Sequence, residues 1–215
     1  LKTLRKTFSI HRLALEDVLH LHQRPKFEVF DHQLFVVTRL YEAQTNTDEQ
    51  FSMFLGSNYV ITFCEKETPL FAPIKNRIEK SKGFIRRQSA DYLAYAFLDV
   101  IIDNFFPKVA SIESTIDELE ETLFSDLPRN FMETIHDVRA DTLRLHRMVL
   151  PLKEMIGRFC EANFDWFSNE TKVYMKDSYD HVLLLIDRIE SLRHASSDLM
   201  SLYQFNMSQK LNEVI

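Results

Sequence analysis

The segment from Lys172 to Ile215 constrains the fold more than any other part of this sequence, because it contains neither glycine nor proline. Its apolar residues recur in steps of four and three, which is typical of a helix that packs against other helices along one stripe. The members of this stripe are Leu185, Ile189, Leu192, the polar Ser196, Leu199, Tyr203, Met207 or Asn206, Leu211 and Val214. A continuous helix over this segment would be roughly 65 Å long. The pattern therefore predicts one long C-terminal stalk helix.

The end of this helix carries no stop signal. The final residues, Asn212-Glu-Val-Ile215, are followed by no glycine, asparagine or proline, and they form no basic last turn. We therefore expect the sequence to be cut within the helix, which would lead into a further segment beyond Ile215.

The composition is that of a globular chain with one sizeable core and room for two subdomains. Its net charge of −6 argues against a nucleic-acid surface, which needs a clustered basic face. No apolar run approaches the ~20 residues that a membrane span needs, and the first residues lack the apolar core of a signal peptide. Cys64 and Cys160 lie far apart, which favours two buried, reduced thiols over a disulfide.

The first part of the chain changes character near Pro25. Residues 1–22 predict two short helices, with Ser9 as the N-cap of the second. Segments rich in aromatic and β-branched residues then predict three or four antiparallel strands, and Thr45–Glu49 is expected to be a polar loop. These segments are Phe27–Phe30, Leu34–Tyr41, Gln50–Leu55 and Tyr59–Cys64.

From Ser89 onward the pattern is helical. Pro107 predicts a kink or a short break, Pro128 is expected in the first turn of the next helix, and Pro151 lies inside that helix. The loop Asn163–Asn169 precedes the final helix. This order predicts an α+β fold, with a small antiparallel sheet and flanking helices followed by a bundle of long helices. We expect three regions, namely an α/β part at 1–83, a helical hairpin at 84–170 and the stalk helix at 171–215.

Several short segments together are more specific than any periodicity. These segments are Leu13–Leu19 (LALEDVL), Gln23–Lys26 (QRPK), Leu34–Val37 (LFVV), Ala90–Tyr95 (ADYLAY), Leu150–Glu154 (LPLKE), Tyr174–His181 (YMKDSYDH) and Asn212–Ile215 (NEVI). Their order and spacing strongly resemble the cytoplasmic domain of the CorA family of magnesium and cobalt ion channels, and the similarity covers essentially the whole chain.

The resemblance implies more protein than this sequence contains. In the family the final helix continues as the first of two membrane spans, the Gly-Met-Asn selectivity signature follows, and further strands precede the position of Leu1. It also implies a homopentamer on the cytoplasmic side of the inner membrane. Arg12 departs from the family, whose members usually have proline after the histidine equivalent to His11; because this position only starts a helix, the departure puts little in doubt.

Four carboxylates are the candidate metal ligands. On spacing alone, the adjacent Glu16 and Asp17 would most often form a solvated helix face. The resemblance implies that both bind regulatory divalent cations at subunit interfaces, with Asp177 of the neighbouring subunit as partner and Asp99 as a third ligand. Asp99 lies in an apolar stretch and needs a partner or an exposed edge, so either a ligand role or an ion pair would explain it. The expected cation is Mg²⁺, which needs only one or two carboxylates, and Co²⁺ could substitute for it.

Asn212 and Ile215 are candidate pore-proximal residues through the resemblance alone. In the family the corresponding segment lines the cytoplasmic end of the pore, where an Asn ring faces hydrated ions and an apolar ring gates by dewetting. Without the resemblance, these two residues are simply a helix terminus.

The leading interpretation is a cytosolic regulatory domain of a pentameric Mg²⁺/Co²⁺ channel that senses intracellular Mg²⁺ at subunit interfaces. One alternative is the zinc-transporting branch of the same superfamily, and another is a soluble helical scaffold that forms a coiled coil with a partner. An enzyme is the least expected class, because no glycine-rich phosphate loop, no His-Glu-x-x-His motif and no nucleophile with a base at recognisable spacing is present.

Overall fold

The computed structural model describes residues 2–21, 23–43, 45–80, 84–123 and 130–214. It confirms the predicted α+β fold, with a four-stranded antiparallel sheet and helices followed by long helices. The elements in chain order are α1 (Lys2–Phe8), α2 (Arg12–Leu19), β1 (Lys26–Phe30), β2 (Gln33–Glu42), β3 (Thr47–Leu55), β4 (Val60–Cys64), α3 (Ala72–Glu79), α4 (Ala90–Asp103), α5 (Phe106–Leu123), α6 (Phe131–Glu161) and α7 (Asn169–Val214).

The sheet is an antiparallel meander in which the strands follow the chain order β1-β2-β3-β4. Its register pairs Lys26 with Val37 and Val36 with Met53. Both faces are buried over most of β2 and over residues 50–55 of β3. On one face, α1 and α2 pack on Phe35, Val37 and Phe54 through a cluster that also contains Ile10, Ala14 and Leu15.

The opposite face of the sheet contacts later parts of the chain. The ring of Phe51 packs on Phe71 and Phe97, and the ring of Phe27 packs edge-on against Phe159 of α6. Each aromatic ring buried in this way stabilises the fold by roughly 1.5–3 kcal/mol relative to an exposed ring. The position of β1 is therefore fixed from both sides.

The chain forms two compact units. The first contains Leu1–Asn104 and Leu150–Val182, and the second contains Phe105–Val149 and Leu183–Ile215. These units group segments that are far apart in sequence, whereas the three regions 1–83, 84–170 and 171–215 follow the chain order and remain a prediction. Within the second unit, the guanidinium of Arg188 forms a bidentate pair with the Glu113 carboxylate.

The prediction of one long C-terminal helix is confirmed by α7, which begins at Asn169. Its apolar stripe is buried at Leu185, Ile189, Leu192 and Leu199, and the ring of Tyr203 stacks on Phe131. The next position of the stripe belongs to Asn206, whose amide donates to the Leu123 carbonyl oxygen at 3.4 Å, while Met207 is exposed. The side chains of Leu211 and Val214 lie outside the described part.

Two local predictions were wrong near the sheet. Ser9 is not a helix cap, because its φ of 52° places it in the left-handed region of a turn. The cap of α2 is His11, whose Nδ1 accepts from the Leu13 amide at 3.3 Å. The loop expected at Thr45–Glu49 is also shorter than predicted, since β3 begins at Thr47.

The proline predictions had mixed outcomes. The break near Pro107 is confirmed, because α4 ends at Asp103 and α5 begins at Phe106. Pro151 lies inside α6 as predicted, whereas Pro128 lies outside the described residues and α6 begins at Phe131.

The prediction of two buried thiols was wrong, since Cys64 is exposed and Cys160 is half-buried. Across the described ranges, no helix combines the length and the apolar character needed to cross a membrane.

Candidate cation-binding carboxylates

The first group of candidate carboxylates lies on α2. Ala14 and Leu15 are buried against the sheet, so the next two residues of the helix fall at its rim. Successive residues of a helix point about 100° apart, which separates the environments of Glu16 and Asp17. Glu16 accepts from the Nε of Arg12 one turn earlier at 2.9 Å, in an exposed ion pair. Glu16 thus has the solvated setting that its spacing alone favoured.

Asp17 has a more constrained environment. Its Oδ2 lies 2.6 Å from the Nζ of Lys26, and the same Nζ lies 3.2 Å from Oε1 of Glu28. The backbone carbonyl of Asp17 accepts from Nε2 of the buried Gln50 at 3.0 Å. The side chain of Asp17 is therefore held by Lys26 of β1, and its backbone is held by Gln50 of β3.

Lys26 is a charged partner for this carboxylate. Burial lowers the pKa of Lys26, but its hydrogen bonds to Asp17 and Glu28 raise that pKa more, so the net shift is above the ordinary value of 10.5. The ammonium also lies 5.7 Å from the centroid of the Phe35 ring, which adds a cation–π contact.

An open groove of about 730 Å³ runs beside this group. It is bordered by the acidic side chains Glu16, Asp17 and Glu28 and by the exposed apolar residues Leu13 and Val29.

The second group of carboxylates lies on α4 and α7. Oδ1 of Asp99 accepts from the Ser178 hydroxyl at 2.8 Å, and Asp177 is exposed immediately before that serine. One turn after Asp99, Oδ1 of Asp103 lies 3.4 Å from Nδ1 of His181. The structure thus brings Asp99 and the region of Asp177 together although they are far apart in sequence.

The acidic side chains of this group affect one another. Burial raises the pKa of Asp103, the negative charges of Asp99 and Asp177 raise it further, and His181 opposes them. Burial also raises the pKa of Tyr95, and the Asp99 carboxylate adds to that shift. Asp99, Asp103 and Asp177 therefore form one negative patch.

Three tyrosine rings lie beside this patch. Their centroids are 5.3 Å apart for Tyr92 and Tyr95, 5.4 Å for Tyr92 and Tyr174, and 5.3 Å for Tyr95 and Tyr174.

The donor atoms suit a hard divalent cation, because Mg²⁺ takes carboxylate oxygens and retains several waters. Within the described ranges, no group of three or more histidine, cysteine, aspartate or glutamate side chains could hold a metal. Asp17 is paired with Lys26 and Asp99 with Ser178, so each group offers only part of a coordination shell. Of the pore-proximal candidates, Asn212 is exposed near the end of α7, and Ile215 lies outside the described residues.

Sequence reasoning missed Lys26, Glu28, Gln50 and Ser178. Strand alternation was a usable signal for the first two, because residues two apart on β1 share a face of the sheet. No local pattern pointed to Gln50 or Ser178, which lie 33 and 79 residues from their partners.

The family model and the most similar relatives identify the family of this chain. Residues 1–215 match the family model of the CorA-like Mg²⁺ transporter protein. The chain is 34% identical over 212 residues to the cobalt/magnesium transport protein CorA of Thermotoga maritima, and the alignment covers 97% of this chain and 60% of that protein. It is 32% identical over 212 residues to the putative metal ion transporter YfjQ of Bacillus subtilis, covering 99% and 66% respectively. The chain thus spans about three fifths to two thirds of the length of these relatives.

Solved structures share the fold. The complete CorA magnesium transporter from Methanocaldococcus jannaschii has a TM-score of 0.84 at 18% identity, covering 99% of this chain and 68% of that one. The ZntB cytoplasmic domain from Vibrio parahaemolyticus has a TM-score of 0.80 at 12% identity, covering 97% and 83%. The matched family is one of transporters and not of enzymes, in agreement with the prediction from sequence. On the match over its whole length, this chain belongs to the family of CorA-like Mg²⁺ transporter proteins.

Proposed function

We propose that this chain is the cytosolic regulatory domain of a homopentameric Mg²⁺/Co²⁺ channel and that it senses intracellular Mg²⁺ at its subunit interfaces. In this proposal the domain lies on the cytoplasmic side of the inner membrane and is attached through spans beyond Ile215. The transport protein CorA of Thermotoga maritima, 34% identical to this chain, supports the choice of magnesium and cobalt.

One observation carries the proposal. The candidate carboxylates are divided between two groups, and among the residues that the structure describes neither group has a complete set of metal ligands from one chain. Asp17 borders a groove with exposed apolar residues, and Asp177 is exposed. A second copy of the chain could bring Asp177 to Asp17 and complete a hydrated Mg²⁺ site, with Glu16 and Asp99 as further ligands.

In this proposal, electrostatic forces between carboxylates couple cation binding to the arrangement of the subunits. Two carboxylates about 4 Å apart repel by roughly 1 to 4 kcal/mol, depending on the effective dielectric. A bound cation converts this repulsion into attraction and stabilises a closed arrangement, whereas its loss releases the subunits. Because the cation binds one arrangement more tightly than the other, it shifts the equilibrium between them. Asn212 and Ile215 would act at the cytoplasmic end of the pore and not in sensing.

The test is ion flux through the full-length protein as a function of internal Mg²⁺. The double variant Asp17→Asn with Asp177→Asn should remain open at Mg²⁺ levels that close the wild type, with unchanged preference among Mg²⁺, Co²⁺ and Ni²⁺. Asp198→Asn is the matched control, because it removes an exposed charge from the same helix. Unaltered inhibition in the double variant would show that the carboxylates are structural. Preferential transport of Zn²⁺ would instead favour the zinc-transporting alternative.

A further inference from the structure

Lys26 places its ammonium between carboxylates from two different elements. The Nζ atom lies 2.6 Å from Oδ2 of Asp17 on α2 and 3.2 Å from Oε1 of Glu28 on β1. Lys26 and Glu28 are two residues apart on an extended strand, so both side chains point to the face that α2 covers. The ammonium therefore stands where two acidic oxygens converge.

Both carboxylates belong to well-anchored segments. The buried Gln50 holds the backbone of Asp17, and β1 is paired with β2 along its length. The lysine has a flexible four-carbon stem and a side chain that is 25% exposed, so its ammonium can exchange this position for water. The backbones that carry the two carboxylates are thus anchored, while the cation between them can leave.

The position of Lys26 bears on the divalent cation that the proposed function assigns to Asp17. An ammonium 2.6 Å from Oδ2 and a divalent ion bound at the same carboxylate would repel each other strongly, so binding of the ion favours departure of the ammonium. A divalent ion that displaces the lysine replaces one positive charge by two, whereas a monovalent ion would gain no charge. Because any cation must first displace the lysine, Lys26 would weaken cation binding in general, and it would weaken the binding of monovalent ions most.

We propose that Lys26 is a built-in competitor for the cation at Asp17, which sets the Mg²⁺ concentration at which the site fills. This inference rests on the proposed function. In the metal-free state the ammonium offsets part of the negative charge of Asp17 and Glu28, and bound Mg²⁺ releases it to solvent. Lys26 regulates the site without being a ligand.

The experiment measures Mg²⁺ binding through thermal unfolding of the full-length protein, at constant ionic strength and without any flux assay. The midpoint Mg²⁺ concentration for the stabilising shift is compared between the wild type, Lys26→Met and Lys26→Gln. Both variants should lower this midpoint by roughly two- to tenfold, because a partly exposed ion pair opposes binding by a modest amount. Lys108→Met is the matched control, since Lys108 pairs with Asp141 at 2.5 Å with a similarly low exposure and lies in the other unit.

The Asp17→Asn background separates the two proposals. If Asp17→Asn alone leaves the wild-type midpoint unchanged, the cation does not bind there and the site assignment of the proposed function fails. If Asp17→Asn raises the midpoint but Lys26→Met leaves it unchanged or raises it, Lys26 is a positioning residue and the competitor proposal is overturned. The proposal is also overturned if Lys26→Met lowers the midpoint equally in the Asp17→Asn background, because the effect would then be one of general charge.

Discussion

The two groups of carboxylates balance their charges in opposite ways. On α2 and β1, Asp17 and Glu28 share the permanent positive charge of Lys26. On α4 and α7, the partner of Asp99 is the neutral hydroxyl of Ser178, and the partner of Asp103 is His181, which is charged only when protonated. The first group is partly neutralised by a cation of the same chain, whereas the second has no permanent positive charge among these partners and keeps a larger excess of negative charge.

Because of this difference, a bound cation should lower the electrostatic energy more at the α4–α7 group than at the α2 group. At the α4–α7 group a divalent ion would relieve existing repulsion, which the raised pKa of Asp103 reports after the larger contribution of burial. At Asp17 the same ion must first displace an ammonium. We expect the α4–α7 group to favour binding of the cation. We expect Lys26 in the α2 group to oppose binding and so to raise the cation concentration at which the site fills.

The largest expected effect on stability comes from Asp91, a buried carboxylate that helps to hold α4 and α7 together at the second group. The buried Asp91 at the start of α4 accepts from the Ser168 amide at 2.8 Å and from the Ser89 hydroxyl, which links α4 to the start of α7. Asp91→Ala leaves buried donors unpaired and should lower the free energy of unfolding by about 2–4 kcal/mol. Urea unfolding measures the change, and Asp198→Ala should alter stability by less than about 0.5 kcal/mol.

The contribution of Asp91 to the free energy of unfolding should also depend on pH. Burial raises the pKa of Asp91, but hydrogen bonds from Ser89, Ser168 and Thr171 lower it more, so its pKa in the folded state is below the ordinary 3.8. A depressed pKa means that its stabilisation is fully present above the ordinary value and is lost as the pH falls through the lowered one. The stability difference between wild type and Asp91→Ala should be constant above about pH 5 and shrink below pH 3.8. A difference that grows on acidification would contradict this assignment.

A comparable effect should come from the cation itself. At a hundredfold excess over its dissociation constant, Mg²⁺ that binds only the folded, assembled protein stabilises it by about 2.7 kcal/mol. Asp177→Ala should remove most of this shift and leave the melting temperature without metal unchanged or slightly higher, because one repelling charge is gone. Thermal unfolding of the full-length protein with and without Mg²⁺ measures this, with Asp198→Ala as the control. An undiminished shift in Asp177→Ala would move the site elsewhere.

The smallest expected effects are changes in stability of opposite sign at the two groups of carboxylates. Asp103→Asn removes a charge from an unbalanced group and should slightly stabilise the metal-free protein at neutral pH. Lys26→Met removes the neutralising charge of the other group and should slightly destabilise it. Both changes should stay below about 1 kcal/mol, because water screens these partly exposed side chains. Chemical unfolding in the presence of a chelator tests the signs, and equal signs would mean that the two groups do not differ in charge balance.

Much of the fold could be predicted because its signals are local. The absence of glycine and proline from Lys172 onward indicated α7, and clusters of aromatic and β-branched residues marked all four strands. Pro107 marked the break before α5. Errors arose where the decisive quantity was a backbone conformation, as at Ser9, or where polar residues form part of a strand, as at Thr47.

The candidate site was predictable only in part. Resemblance to a family pointed to Glu16, Asp17, Asp99 and Asp177, and the sequence placed them on helices. Their surroundings depend on contacts that no local pattern contains. The Ser178 hydroxyl meets Asp99 only because α4 and α7 pack together, and Gln50 reaches Asp17 only because α2 lies across the sheet.

The amino-acid sequence alone was enough to predict the class of fold, the length and apolar stripe of α7 and the acidic residue types that suit a hard cation. These features follow from periodicity and composition, which act over a few residues. The packing of the folded chain sets which carboxylates have a cationic partner and which do not. That difference depends on distances of a few ångströms between side chains on separate elements, such as Lys26 and Asp17, because the energy of two charges depends on their separation and not on their spacing along the chain.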